Sequence, residues 1–209
     1  LAAVLGGITV WTELAWWVRL FHLGIAEAAV ACMVYVLVVG WRAGSQPLAL
    51  EPMAKETNRF RMLVLGSILG AFILILSGSY IVGYGASSSC ATWPLCRGSL
   101  FPEGTPYALH MGHRFLAAVV GMLIFHTAAS AWLLRAQRPE VGWAGLILAI
   151  LFVTEILAGA GIVWTGFSIQ MKAVHLSLAT LVWTALVFLA TLVYSPQRFE
   201  FRDVSIDLR

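Results

Sequence analysis

The sequence is short of charge. Only 11% of its residues are Asp, Glu, Lys or Arg, while 60% are apolar and the mean hydropathy is +0.88. A soluble domain of this size has no use for so much apolar surface, so that class is excluded and a polytopic membrane protein is left. The apolar runs also lack clear period-two alternation and are too long for strands, which argues against a transmembrane β-barrel. Cysteine is scarce, with three in all. The segment holding Cys90 and Cys96 offers no His or further Cys at ligand spacing, which excludes a zinc-type site there. The net charge of +3 is small; it follows from the basic loops described below and implies no nucleic-acid partner. The opening run LAAVLGGITV lacks the leading positive charge of a signal peptide and is too short to span a bilayer. It reads as the tail of a helix, and the chain as part of a longer protein.

What is present is a set of apolar runs of spanning length, about 20 residues or more each. They cover Trp16–Trp41, Met62–Gly85, Ala108–Leu134, Val141–Trp164 and Met171–Tyr194. Backbone groups in lipid must be satisfied within the segment, so all five are helices and the fold is all-α. Arg42, Lys55, Arg59 and Arg61 lie between the first two runs, Arg135 and Arg138 between the third and fourth, and Arg198, Arg202 and Arg209 in the tail. The positive-inside rule puts these on the cytoplasmic or matrix side and the Cys90–Cys96 loop outside. Trp16, Trp17, Trp93 and Trp164 then fall at an aromatic belt, and Gly66 and Gly70 form a small-xxx-small pair for close helix contact.

The stretch CATWPLCRGSLFPEGTPYALHMGHR, Cys90 to Arg114, organises the rest. An outside loop is an oxidising setting, so Cys90 and Cys96 read as a disulfide, the alternative being two free thiols. Cys32, inside the first span, reads as a small core residue. His22, His113 and His175 fall on the three helices that run inward, each about five or six residues, or roughly 8–9 Å, below the outer end. Each is followed four residues later by an alanine, Ala26, Ala117 or Ala179, and Gly121 continues the strip below His113. Paired imidazoles with small residues beneath leave room for a flat macrocycle held by two axial nitrogens, as in bis-histidine haem; the plainer reading is interhelical hydrogen bonding. His110 reads as a rim residue and His126 as a packing residue. Glu27 and Glu155 are acidic groups inside spans, suited to helix–helix bonding or to proton relay. Lys172, Arg19 and Arg97 lie near the outer surface, where they suit either haem propionates or the interface itself.

The segment Gly6–Ala26 matches Gly159–Ala179 without gaps at an offset of 153. The identities are Gly6/Gly159, Val10/Val163, Trp11/Trp164, Thr12/Thr165, His22/His175, Leu23/Leu176 and Ala26/Ala179. The chain is therefore built from two similar halves. Residues 1–41 represent the end of the first half, 42–61 a cytoplasmic linker, 62–195 a complete second half of four spans, and 196–209 a cytoplasmic tail.

GGITV, His22, the CATWPLC loop, His113-Arg114 and His175 together resemble the haem A synthase family of cytochrome oxidase assembly. The resemblance covers Leu5 to about Tyr194. It implies a multi-pass protein of the bacterial plasma membrane or the mitochondrial inner membrane, with two pseudosymmetric four-helix bundles. It implies haem b held by His113 and His175, with Arg114 and Lys172 as further cofactor-binding residues, and haem O as substrate with His22 as one ligand to its iron. The activity implied is oxidation of the haem O methyl group to a formyl group; the rival is a b-type cytochrome that only transfers electrons. A haem O synthase and an electron acceptor are the partners implied, besides the bilayer. The family's disulfide maps to Cys90 and Cys96. Its Glu-x-x-His-Arg helix has no counterpart here, for the second half reads His110-x-x-His113-Arg114. The catalytic carboxylate is therefore expected outside this chain, and the chain alone is expected to be inactive.

Overall fold

The computed structural model describes residues 2–11, 15–43 and 55–194. The tail 196–209, with Arg198, Arg202 and Arg209, and the linker residues 44–54 lie outside the described residues. Six α-helices follow one another: α1 (Ala2–Trp11), α2 (Trp16–Ala43), α3 (Lys55–Gly83), α4 (Thr105–Leu133), α5 (Pro139–Trp164) and α6 (Ile169–Tyr194). Five of them, α2 to α6, are long and apolar enough to cross a membrane. The fold is all-α, with five spans preceded by a shorter helix.

The observed helices start and end within a few residues of the apolar runs, except α3. That helix begins at Lys55, seven residues before Met62. Its first turns, KETNRFR, are polar; hydropathy registers only the part that enters lipid, while the backbone ladder continues past it. Proline lies in the first turn of α4 and of α5, where its missing N–H has no helical partner to lose. Short connections, residues 134–138 and 165–168, make α4, α5 and α6 antiparallel neighbours.

Helices α3, α4, α5 and α6 close a ring in which each packs on the next and α6 packs back on α3. Among the described residues the backbones of α4 and α6 do not approach closely, so these helices face each other across the diagonal. Helix α2 lies in the groove between α3 and α6, and α1 packs on α2. The bundle interior is filled by Ile124, Leu148, Leu186, Leu189 and Leu192, all fully buried. Ser67 and Thr127, also fully buried, share a 2.8 Å hydrogen bond between α3 and α4, so neither hydroxyl is left unpaired. Gly66 and Gly70 do bring these helices close: a Cβ on Gly70 would stand 3.2 Å from Val120 and one on Gly66 3.4 Å from Leu123. Cys32 is exposed on the outer face of α2 rather than set in a core, and His126 likewise faces outward from α4.

The basic residues at the end opposite the disulfide loop have defined work. Arg138 donates to Leu192 O at 2.7 Å and Arg61 to Val193 O at 3.4 Å. Both carbonyls belong to the last described turn of α6, where a cationic side chain is favoured by the helix dipole. Arg61 also lies over the Tyr194 ring, and the Tyr194 hydroxyl donates to Arg61 O at 2.9 Å.

Candidate functional site

The outer loop between α3 and α4 is folded tightly. Cys90 and Cys96 form a disulfide with Cα atoms 4.9 Å apart, and both are fully buried. Thr92 Oγ1 donates to Leu95 O at 2.7 Å and accepts from the Arg97 N–H at 3.0 Å. Arg114, one residue after His113, holds this loop. Its Nη1 donates to Thr92 O and Pro94 O, each at 2.9 Å, and Nη2 reaches Cys90 O at 3.5 Å. Trp93 meets Trp164 edge to face at 5.7 Å, tying the loop to the end of α5. The loop is thereby tied to α4 through Arg114 and to the end of α5 through Trp164.

His113, on α4, is served by two consecutive residues of α3. Gly78 gives it room, since a Cβ there would lie 3.4 Å from the imidazole Cε1. Ser77 Oγ stands 2.8 Å from Nδ1. The same hydroxyl donates to Leu74 O at 2.7 Å. A serine has one proton to give. When that proton goes to Leu74, Oγ accepts from the ring, and in that arrangement Nδ1 carries the hydrogen and Nε2 is left as the lone-pair donor. The other wall of this ring borders a cavity of about 210 Å³ lined by Tyr80, Ile81, Ala108, Leu109, Gly112 and Leu116, with Ser77 and His113.

His175, on α6, has a parallel setting. A Cβ on Gly159 of α5 would stand 3.1 Å from its Cε1. One turn earlier on the same face of α5, Glu155 Oε1 lies 3.0 Å from Nδ1. The carboxylate sits off the ring N–H axis, so the contact is an ion-pair distance rather than an aligned hydrogen bond. Rotation of either side chain aligns it, and no other partner among the described residues reaches this nitrogen. His22, on α2, repeats the glycine: a Cβ on Gly6 of α1 would meet its Cε1 at 3.3 Å. Its Nδ1 is buried with no hydrogen-bond partner among the described residues.

The structure thus brings His113 and His175 to one bundle, on diagonal helices. His22 stands apart, in the α1–α2 pair. His22 and His175 lie six residues inside their helices and His113 eight, or about 9 and 12 Å along the axis; α4 starts earlier than its apolar run suggests. Ala26, Ala117 and Ala179 are half-buried one turn deeper. Gly121 is a correction. It does not clear space for a ligand, because the Phe152 ring lies over it, where a Cβ would come within 2.7 Å of Cε1. Lys172 and Arg97 lie over the rings of Phe167 and Tyr107 at the outer rim. His110 has a buried Nδ1 without a partner among the described residues. Glu27, only 2% exposed, accepts from Thr180 Oγ1 at 2.6 Å.

Sequence reasoning placed the histidines but missed Ser77, Gly78 and Gly159, which shape them. Gly6/Gly159 was visible as an identity of the repeat; Ser77 and Gly78 are one serine and one glycine among many in an apolar run, with no signal of their own.

These features define an integral-membrane helical bundle with a pair of imidazoles, each offering Nε2 from a glycine-lined seat. Imidazoles on opposite helices are donors of the type that a bis-histidine haem uses. The family of cytochrome oxidase assembly proteins designated COX15-CtaA matches residues 1–187, and the chain belongs to it. It is 25% identical over 179 residues to the "Heme A synthase" of Alkalihalophilus pseudofirmus, covering 84% of this chain and 58% of that one. The "Heme A synthase" of Shouchella clausii is 29% identical over 136 residues, 62% of this chain and 45% of that one. The "Protoheme IX farnesyltransferase" of Haloarcula marismortui is 33% identical over 123 residues, 59% of this chain and 26% of that one. The chain spans about half the length of the "Heme A synthase" relatives it matches. With its five spans it is a multi-pass membrane protein, of the plasma membrane as in its bacterial relatives.

Proposed function

We propose that this chain serves haem A synthesis, the oxidation of the haem O methyl group to a formyl group, and that its α3–α6 bundle holds haem b through His113 and His175. The observation that carries this reading is the seating of the two imidazoles. Each has a glycine at its Cε1 edge and an oxygen within 3.0 Å of Nδ1. Metal-ligating histidines characteristically give their second nitrogen to such a partner.

Haem, when bound, supplies one-electron redox chemistry. The chain's own residues supply its position. Ser77 and Glu155 orient the two rings, and Arg114 keeps the disulfide loop closed over the outer end, limiting access of water. Lys172, three residues before His175, is placed to neutralise carboxylates at the outer edge of the ring. His22 is the ligand we assign to substrate haem O. His22 Nδ1 has no hydrogen-bond partner among the described residues, and the chain by itself is expected to bind haem without converting haem O. Similarity to a protein named for farnesyl transfer to protohaem is consistent with a substrate delivered by prenyl transfer.

A second reading, a b-type cytochrome limited to electron transfer, draws on the fact that the α3–α6 bundle closes without α1 and α2. One experiment separates the two. The purified chain in detergent is loaded with haemin, reduced, and its spectrum recorded; it is then incubated with haem O and the haems are extracted. Sharp α and β bands that vanish in His113→Ala and His175→Ala support the site, and persistence of the bands in either variant refutes it. A spectral response to haem O that requires His22 supports the synthase reading, whereas its absence favours the cytochrome. Haem A in the extract would reverse the roles given to the two halves.

A further inference from the structure

The two halves share a scaffold but not the environment of their imidazoles. At the offset that pairs His22 with His175 and Gly6 with Gly159, the position matching Glu155 is Ala2. The glycine seat is kept in both halves: Gly6 and Gly159 approach Cε1 of their histidines at 3.3 and 3.1 Å. The carboxylate is kept in one. Glu155 Oε1 is 3.0 Å from His175 Nδ1, while His22 Nδ1 is buried with no partner among the described residues.

Glu155 is not explained by packing. Its side chain is 12% exposed inside a span, and its second oxygen, Oε2, is buried without a partner among the described residues. Placing a carboxylate at such a depth costs free energy that a leucine would not. It lies against the nitrogen of His175 that a haem ligand does not use. A carboxylate on that nitrogen fixes the ring about its axis and increases the basicity of Nε2.

Resting on the haem reading above, we propose that Glu155 is a positioning residue that locks His175 as ligand to a resident haem, and that His22, whose Nδ1 has no such partner among the described residues, is the exchangeable ligand of the other half. A ring free about its axis with an unsupported nitrogen binds iron less tightly and releases it faster. That is what a haem that must arrive and leave requires, and the opposite of what a permanent haem requires.

The chain is loaded with haemin, and the wild type, Glu155→Gln and Glu155→Ala are compared. Two quantities are read: transfer of haem to excess apomyoglobin, and the reduction potential from spectroelectrochemical titration. Loss of this partner should weaken haem binding by about 10–100-fold. Because the carboxylate favours ferric over ferrous iron, the potential should rise, by about 59 mV for each tenfold loss confined to the ferric state. Glu155→Gln, nearly isosteric, should show the smaller change and keep the low-spin spectrum. A role in helix packing alone would lower the melting temperature without moving the potential. Unchanged potential and transfer rate in Glu155→Ala overturn the proposal; if that variant does not fold, the potential of Glu155→Gln decides. In His175→Ala, haemin remaining at His22 should leave at least about tenfold faster than from the wild-type bundle, and equal rates would refute the exchangeable role. A wild-type chain that takes up no haemin at all defeats the haem reading itself, and this proposal with it.

Discussion

Arg114 gives the sharpest test of how the site is covered. Replacing it with Ala removes two 2.9 Å bonds, to Thr92 O and Pro94 O, and a longer contact to Cys90 O at 3.5 Å. Hydrogen bonds from a charged donor contribute about 1.5–3 kcal/mol each. The two short ones are exposed, where water replaces part of the loss, and the third is at the limit of useful distance. A total of about 2–4 kcal/mol is therefore reasonable, which raises the open fraction of the loop by roughly 30- to 1,000-fold. The disulfide survives, since its geometry does not depend on Arg114, so the effect is confined to the loop's attachment. Amide hydrogen exchange at Cys96 and Ser99, whose N–H groups bond across the small bridge within the loop, reads this directly. Arg114→Lys should recover only part of the protection, because an ammonium cannot address both carbonyls in the planar fork of a guanidinium. Unchanged exchange in Arg114→Ala would show that the loop stands on its disulfide and on Trp93 alone, and would free Arg114 for direct contact with a bound cofactor.

Other expectations are open to simpler measurements. Ser77→Ala leaves the His113 Nδ1–H without its acceptor, so haemin affinity should fall by about 10–100-fold while helicity is kept; an unchanged titration curve would remove the tautomer argument. Maleimide labelling without reductant should mark Cys32 and leave Cys90 and Cys96 untouched, and labelling of all three would deny the disulfide. Thr180→Val takes the hydroxyl from Glu27 Oε1 and should cost about 1–3 kcal/mol in detergent unfolding, against no effect if the carboxylate finds another donor. His22→Ala should leave the reduced spectrum of the α3–α6 bundle intact; its collapse would mean that the histidines are wrongly paired.

Much of this was legible before any coordinates. Five spans follow from run length, because lipid forces the backbone into helices and leaves composition as the only variable. The disulfide follows from loop chemistry, and the importance of His22 and His175 from a repeat that survives at the glycines as well as at the histidines. What stayed hidden depends on rotation about a helix axis. A lipid-exposed face is as apolar as a packed one, so no hydrophobic periodicity says that Cys32 and His126 point outward. For the same reason Gly121 could not be told from Ala117: both are small and in register with His113, yet one lies under Phe152. Arg114 next to a histidine invited a role at the cofactor, and its three carbonyl partners lie more than a dozen residues upstream in a loop whose path no spacing rule describes.

The repeat also has a meaning where it fails. Glu27 and Thr180 are equivalent positions, separated by the same 153 residues as the two histidines, and they touch at 2.6 Å. Equivalent residues meet only on or beside the axis that relates two halves, so the α2–α6 contact lies at that axis. The next turn supports this, for Trp183 Nε1 donates to the Glu27 carbonyl at 2.8 Å. A residue on an axis is constrained to tolerate itself. Two glutamates there would bring carboxylates together in a buried, low-dielectric contact, which is strongly unfavourable. Two threonines would be tolerable but would bind the halves weakly. One of each gives a donor and an acceptor, and the interface closes. Divergence of the halves at this point thus needs no catalytic explanation: it is what duplication imposes when the seam must hold a polar bond. Divergence at Glu155 is different, because this residue lies beside His175 rather than at the Glu27–Thr180 contact. There the halves were free to remain alike, and the difference falls on the one atom, Nδ1, that controls how firmly an imidazole can hold iron.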